Sequence, residues 1–289
     1  MKNRLFNALN ASPAWRQALD AIRLGHTAAI YDTTESQRAF LAAALATETG
    51  RQVLYVAPSE QAAMRAAEDC ASLLGGRAGL MPAQEMVFLR AVKSRESAWE
   101  RLTALDKVIT GEYRVLCVSA DVLLTRLMPP DVYAAAAVTL QLGDDMEPHT
   151  LAARLAASGY ERVDMVEGKG QFAIRGDILD VFPPCEADAM RIGFFDTQID
   201  AIRTFDILTQ RSKGTLSQAR LTPAVEYFVP PANRAHAAES MRSALQTMQD
   251  VMASGTLIPH ATDEDNLPEE EATGALRRLL QDADALEDE

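Results

Sequence analysis

The chain has 289 residues, 48% of them hydrophobic and 24% charged, with a formal net charge of −13. Length and apolar content support two or three packed domains. The acidic balance argues against a protein that grips nucleic acid by its phosphates, which takes a stripe of Lys and Arg. The acid is concentrated late: from Pro231 onward there are 13 acidic residues and 4 basic ones, so the expected partner is another protein. Cys70, Cys117 and Cys185 are scattered and lack metal-ligand spacing, which suits a reducing cytoplasm and no zinc site. MKNRLFNALN has no apolar region behind its basic residues, and FLAAALA and YAAAAV are far too short to cross a bilayer, which takes about 20 residues.

In chain order, Leu5, Leu9, Trp15, Leu19 and Ile22 predict one amphipathic helix over 4–22. TAAIY (27–31) reads as a strand and SQRAFLAAALATETG as a helix; RQVLYVAPS and EQAAMRAAEDCASLLGG repeat that order. SRESAWERLTALDKVITG reads as a helix opened by Ser94, EYRVLCVSA as a buried strand, and DVLLTRLMPP as a short helix stopped by two prolines. This βαβα rhythm implies a parallel sheet covered by helices. From Gly159 to about Val229 the pattern changes to short strands broken at Gly168–Gly170, Gly176, Pro183–Pro184 and Asp196–Gln198, a small β-rich domain. Helices return in AHAAESMRSALQTMQDVMA and EEEATGALRRLLQDADAL, with the acidic linker TDEDNLPEEE between them. The expected organisation is α/β: residues 1–145, a β-rich (α+β) domain at 146–230, and a helical segment at 231–289.

The first strand–loop–helix is where a P-loop would lie, which needs glycines to wrap phosphate and a lysine for its outer oxygens. YDTTESQRA (31–39) has neither, and Asp32 and Glu35 would repel phosphate. Thr34 or Ser36 is expected to cap the helix instead.

Five stretches, MPAQEMVFLRAVKSRESAWERLTAL, SADVLLTRLMPP, GYERVDMVEGKGQFAIRGDILDVFPP, RIGFFDTQIDAIRTFDILTQRS and LTPAVEYF, follow one family in order. Through them the chain resembles the N-terminal module of the bacterial transcription-repair coupling factors, the Mfd family, itself similar to the excision-repair protein UvrB. The resemblance spans about residues 20–230 and is most specific over 159–228. UvrB keeps a working P-loop and a tyrosine-rich hairpin; here the P-loop is degenerate, and residues 83–135 hold only Tyr113 and Tyr133. The family pattern usually has a small residue where Asp177 follows Arg-Gly.

The resemblance implies a degenerate helicase-like sheet domain carrying a domain that docks the damage-recognition ATPase UvrA. It places RNA polymerase binding, the ATP- and magnesium-dependent DNA motor and the autoinhibitory domain outside these 289 residues. The expectation is therefore an interaction module with no catalysis and no cofactor of its own, in the cytoplasm, its docking face unmasked. A UvrB-type excinuclease fragment and a nucleic-acid-binding repair module are the alternatives.

Carried over by motif, the UvrA-binding residues are Arg175 in AIRG and Arg191 and Phe195 in MRIGFF, with Arg203 and Arg211 as a possible rim. Strand alternation independently turns Arg191 and Phe195 to one face and Ile192 and Phe194 to the other. The competing arrangement packs Phe195 under a helix at 231–250 and pairs Arg191 with a local carboxylate such as Asp200. Asp177, Asp180 and Glu186 are expected as turn and surface residues rather than metal ligands. His26, His149, His236 and His260 sit in no catalytic pattern.

Overall fold

Ser12-Pro13 divides the first expected helix in two. In the computed structural model, which describes residues 4–84, 95–227 and 234–253, α1 (Arg4–Leu9) ends and α2 (Pro13–Arg23) begins at a Ser12 cap with Pro13 in its first turn. Proline suits that position because the N–H it lacks would have no partner there. α3 (Glu35–Thr49) opens on a capping box between Thr34 and Gln37 and stops at Gly50, whose φ of 69° puts it in the left-handed region. β1 (Val53–Ala57), α4 (Glu60–Leu74), β2 (Ala78–Met81), α5 (Arg95–Ile109) and β3 (Val115–Ser119) follow. They build a parallel sheet of order β1-β3-β2. Alanines of α3 and α4 pack on one face with Cys70 and Cys117; Ala104 of α5 packs on the other with Met81, Val118 and Val122. Side chains this small let two helices and a sheet approach closely.

Several sequence expectations change here. TAAIY (27–31) forms no strand: Tyr31 is 81% exposed and Ile30 is exposed beside it. β2 has no clear strand signal, because Ala-Gly-Leu-Met is short and contains glycine. Gly79 is there for room, since a Cβ at that position would come within 2.3 Å of the Tyr113 ring. The helix expected over 121–130 shrinks to a 3₁₀ turn, Ala120–Leu124, and Pro130 opens α6 (Pro130–Ala136) instead of ending a helix. Ser94, the acidic linker and the helix expected over 269–286 lie outside the described residues.

β4 (Val138–Gln141) comes next, then α7 (Pro148–Ala157), β5 (Glu161–Arg162), β6 (Gln171–Arg175), β7 (Ile178–Val181), β8 (Ala189–Phe195), β9 (Gln198–Phe205), β10 (Ser212–Thr215) and β11 (Gln218–Leu221). The six strands β10-β9-β8-β7-β6-β5 form one sheet, antiparallel except for β5 with β6. β4 pairs with β11, and Val138 and Leu140 enter the core formed by the six-stranded sheet and α7. The β-rich part therefore begins at β4, ahead of the expected border at 145/146.

Buried polar contacts tie it to α5. Asp106 of α5 accepts from Nε and Nη2 of Arg220 on β11 at 3.0 and 2.8 Å, and from the Tyr133 hydroxyl of α6 at 3.0 Å. Arg101 of α5, 2% exposed, pairs with Glu226 and donates to the Pro82 carbonyl. The chain divides into two units, Met1–Tyr227, which contains all of these elements, and Phe228–Glu289, which contributes α8 (Arg234–Ala253).

Candidate protein-docking face

The six-stranded sheet has two unlike faces. Phe172, Leu179, Val181, Met190, Ile192, Phe194, Ile199 and Ile202 alternate along their strands to fill the inner core against α7. The residues between them point outward. Part of that outer face is roofed: Ala173, Phe182, Ala189 and Phe205 are buried with Val166, and Val163 and Ile207 pack on them. The rest is open, carrying Arg175, Ile178, Gly193, Ala201 and Phe195.

Local sequence makes the open part. β6 and β7 join through Gly176-Asp177, with Arg175 opposite Ile178; Gly176 takes φ 58°, where a side chain is disfavoured. β8 turns into β9 at Asp196, φ 56°, and the register shifts beside Gly193, so Asp200 has no ladder partner. The Asp200 carboxylate instead leans over Gly193, where a Cβ would lie 2.9 Å from its Oδ1. Phe195 follows the shift and is 76% exposed. The expected division of β8 is observed, with Ile192 and Phe194 inside and Phe195 outside.

The arginines are arranged by a residue that the sequence did not single out for that role. Asp180, 1% exposed, lies beside Arg191 in the β7–β8 ladder. Its carboxylate takes both arms of Arg191, Nε to Oδ1 at 2.6 Å and Nη2 to Oδ2 at 2.8 Å. Arg175, diagonally across on β6, donates Nη2 to the same Oδ2 at 3.2 Å. Asp180 is thus buried rather than the surface residue expected, and Arg191 pairs with it rather than with Asp200. Among the described residues no group of three or more His, Cys, Asp or Glu side chains could hold a metal ion. The hydrogen bonds it donates to Asp180 push the Arg191 guanidinium up from its ordinary value. Its carbon centre lies 4.7 Å from the centroid of the Phe205 ring.

The β9–β10 loop completes this clamp. Gln210, φ 58°, accepts from Arg191 at its carbonyl (3.3 Å) and at Oε1 (3.4 Å), and its amide donates to the carbonyls of Val166 and Ile207. Glutamine in the left-handed region has no sequence signature, so this contact was not foreseeable. Arg203 stands opposite Arg191 on β9 and is exposed, and Arg211 is exposed beyond the loop. The structure therefore brings Arg175, Arg191 and Arg203 onto one face with Phe195 and leaves Arg211 at its margin. Leu208, 90% exposed, forms the loop tip.

At residues 31–39 the start of α3 caps itself. The Thr34 hydroxyl accepts from the Gln37 N–H at 3.3 Å and Gln37 Oε1 from the Thr34 N–H at 2.9 Å, so the first turn of α3 is satisfied by its own side chains. No described helix is long and apolar enough to cross a membrane.

The family model for the UvrB interaction domain matches residues 138–227, beginning at the first residue of β4. The transcription-repair-coupling factor of Bacillus subtilis is 35% identical over 212 residues, covering 73% of this chain and 18% of its own length. That of Myxococcus xanthus is 31% identical over 236 residues, with 78% and 20% covered. That of Staphylococcus aureus is 32% identical over 147 residues, with 51% and 12% covered. The chain spans a fifth or less of the length of these relatives. It carries a UvrB interaction domain at residues 138–227 and, at 31–35% identity over about three quarters of its length, is a homologue of the transcription-repair-coupling factors.

Proposed function

We propose that this chain is a protein-docking module of nucleotide excision repair that binds UvrA through the open half of its outer sheet face. One observation carries the reading: within the matched domain, the exposed Phe195 ring shares one sheet face with Arg175 and Arg191, both held by Asp180. Exposed aromatic and arginine side chains on a rigid support have the composition of an interface hot spot. As part of a longer relative, the module would bring UvrA to RNA polymerase stalled on damaged DNA. Polymerase and DNA contacts, and the ATP- and magnesium-dependent motor, would belong to other domains. The β1-β3-β2 part is read as a degenerate helicase-like domain without nucleotide, and the chain as non-catalytic and cytoplasmic. Support for that comes from the self-capped, acidic start of α3 and the absence of glycine and lysine at 31–39.

The test is titration of purified UvrA against the chain and its Phe195→Ala variant. Removing the ring empties no core, so melting should stay unchanged while affinity falls roughly thirtyfold or more, as for a hot-spot residue. Equal binding by both proteins would move the site elsewhere, and no binding by the wild type at micromolar UvrA would end the reading.

A further inference from the structure

We infer that Asp180 is the positioning residue of this docking face: one buried carboxylate that aims Arg191 and Arg175 at the partner. The inference rests on the proposed docking reading and extends it to a residue the partner does not touch. Asp180 is 1% exposed, so a bound protein has almost nothing of it to meet. Its two oxygens nevertheless bind both guanidinium groups, Arg191 by a bidentate fork and Arg175 by a single arm at 3.2 Å.

The geometry leaves the two arginines in different states. Arg191 is largely consumed, with its side chain 23% exposed, Asp180 on one edge and Gln210 on the other. Arg175 keeps 57% of its side chain exposed and uses only Nη2, with no other partner assigned among the described residues. One carboxylate between two guanidiniums leaves a net positive charge, and it is the open Arg175 edge that offers it to a partner. A free arginine would have to give up rotamer freedom on binding. Anchored to Asp180, Arg175 has lost part of that freedom beforehand. The partner surface that fits is a carboxylate beside an apolar hollow, meeting Arg175 and Phe195 together.

The experiment compares wild type, Asp180→Asn, Arg175→Ala and the Asp180→Asn/Arg175→Ala double variant, in UvrA titrations and by NMR of the arginine side-chain Nε–H groups in the free chain. Phe195→Ala serves as the control for the docking reading. Asp180→Asn should weaken UvrA binding about tenfold, as the loss of a charge-assisted contact does. Much of that loss should vanish in the Arg175→Ala background, because the two changes remove one device. The Nε–H signals of Arg175 and Arg191 should lose dispersion and exchange faster in Asp180→Asn without UvrA present. Wild-type affinity in Asp180→Asn would overturn the inference, as would an equal loss with and without Arg175. If Asp180→Asn does not fold, Arg191→Lys replaces it. This variant keeps the charge, breaks the fork and leaves Asp180 to Arg175, so the Arg175 signal should keep its dispersion while binding weakens; an Arg175 signal that collapses with Asp180 intact, or unchanged affinity, would overturn the inference. A wild-type chain that ignores UvrA would instead remove the docking reading, an outcome the free-chain signals keep separate.

Discussion

Asp106 and Asp180 are the same device used in two ways. Each is a buried carboxylate shared between donors from different elements, Arg220 and Tyr133 for Asp106, Arg191 and Arg175 for Asp180. At the α5 junction the donors are more enclosed: Tyr133 is fully buried and Arg220 keeps 31% of its side chain exposed. Burial pushes the Tyr133 hydroxyl up from its ordinary value, so it stays protonated and donates. On the outer face one donor remains more open, since Arg175 keeps 57% of its side chain exposed on the face that carries Phe195. A closed ion pair has only the fold to serve, whereas an open one can also present charge to a partner. Substitution at the junction should therefore register in stability and substitution at the open edge in binding.

The largest effect is expected at the most enclosed pair. Glu226→Ala strands the Arg101 charge in the interior, which costs about 3–5 kcal/mol when a buried pair loses one member. For a unit of this size that corresponds to a fall in melting temperature of roughly 6–20 °C. Thermal unfolding by circular dichroism measures it, and a shift of only a degree or two would remove the contrast at its strong end. Asp106→Asn keeps the shape and an accepting oxygen, so its cost should be smaller, about 1–3 kcal/mol. UvrA affinity of the folded protein should be unchanged in both variants. Reduced affinity would mean that the junction, too, shapes the docking face.

Phe195→Ala inverts that pattern. Its ring lies in solvent, and surface truncations of this kind stay within about 0.5 kcal/mol in stability. A melting temperature that drops with the junction variants would mean that the ring packs against something in the folded protein and is no free anchor.

How much of this was legible follows from the reach of each signal. The alternation in MRIGFF is local, and it placed Ile192, Phe194 and Phe195 on their observed sides. Gly176, Pro183–Pro184 and Asp196–Gln198 marked the breaks after β6, β7 and β8 for the same reason. β4 could not be read because its pairing partner, β11, lies nearly eighty residues downstream and neither strand exceeds 4 residues. TAAIY failed in the opposite direction: a β-branched and apolar run of five looks like a strand, but none of the three strands of the parallel sheet takes it as a neighbour. Arg175 and Arg191 came from motif, and the carboxylate that unites them did not, because strand pairing had to bring β6, β7 and β8 into register first. Nor could the sequence foresee Gln210, whose role depends on a left-handed backbone reaching back over Arg191.

The smallest expected effect concerns the loop that carries Gln210, where a third carboxylate is only half-buried. Asp206 Oδ1 accepts from the N–H groups of Leu208 and Thr209 at 3.1 and 2.9 Å and from the Thr209 hydroxyl at 3.1 Å, while Lys213 stands 3.5 Å from Oδ2. The Thr209 backbone and hydroxyl bonds hold its carboxyl below the ordinary value of 3.8. A carboxylate whose folded value is depressed contributes stability above the unfolded value, and that contribution is lost as pH falls through the folded one. On acidification from about pH 5 the Leu208 and Thr209 amides should therefore hold their NMR positions down to about pH 4 and shift only below it. Asp206→Asn should flatten that titration while leaving the amides at Arg175 and Ile178 in place. A midpoint at or above 3.8 would show that Asp206 does not hold the loop. In that case the third arm of the Arg191 clamp must be fixed from the Val166 side, where the Gln210 amide bonds the backbone.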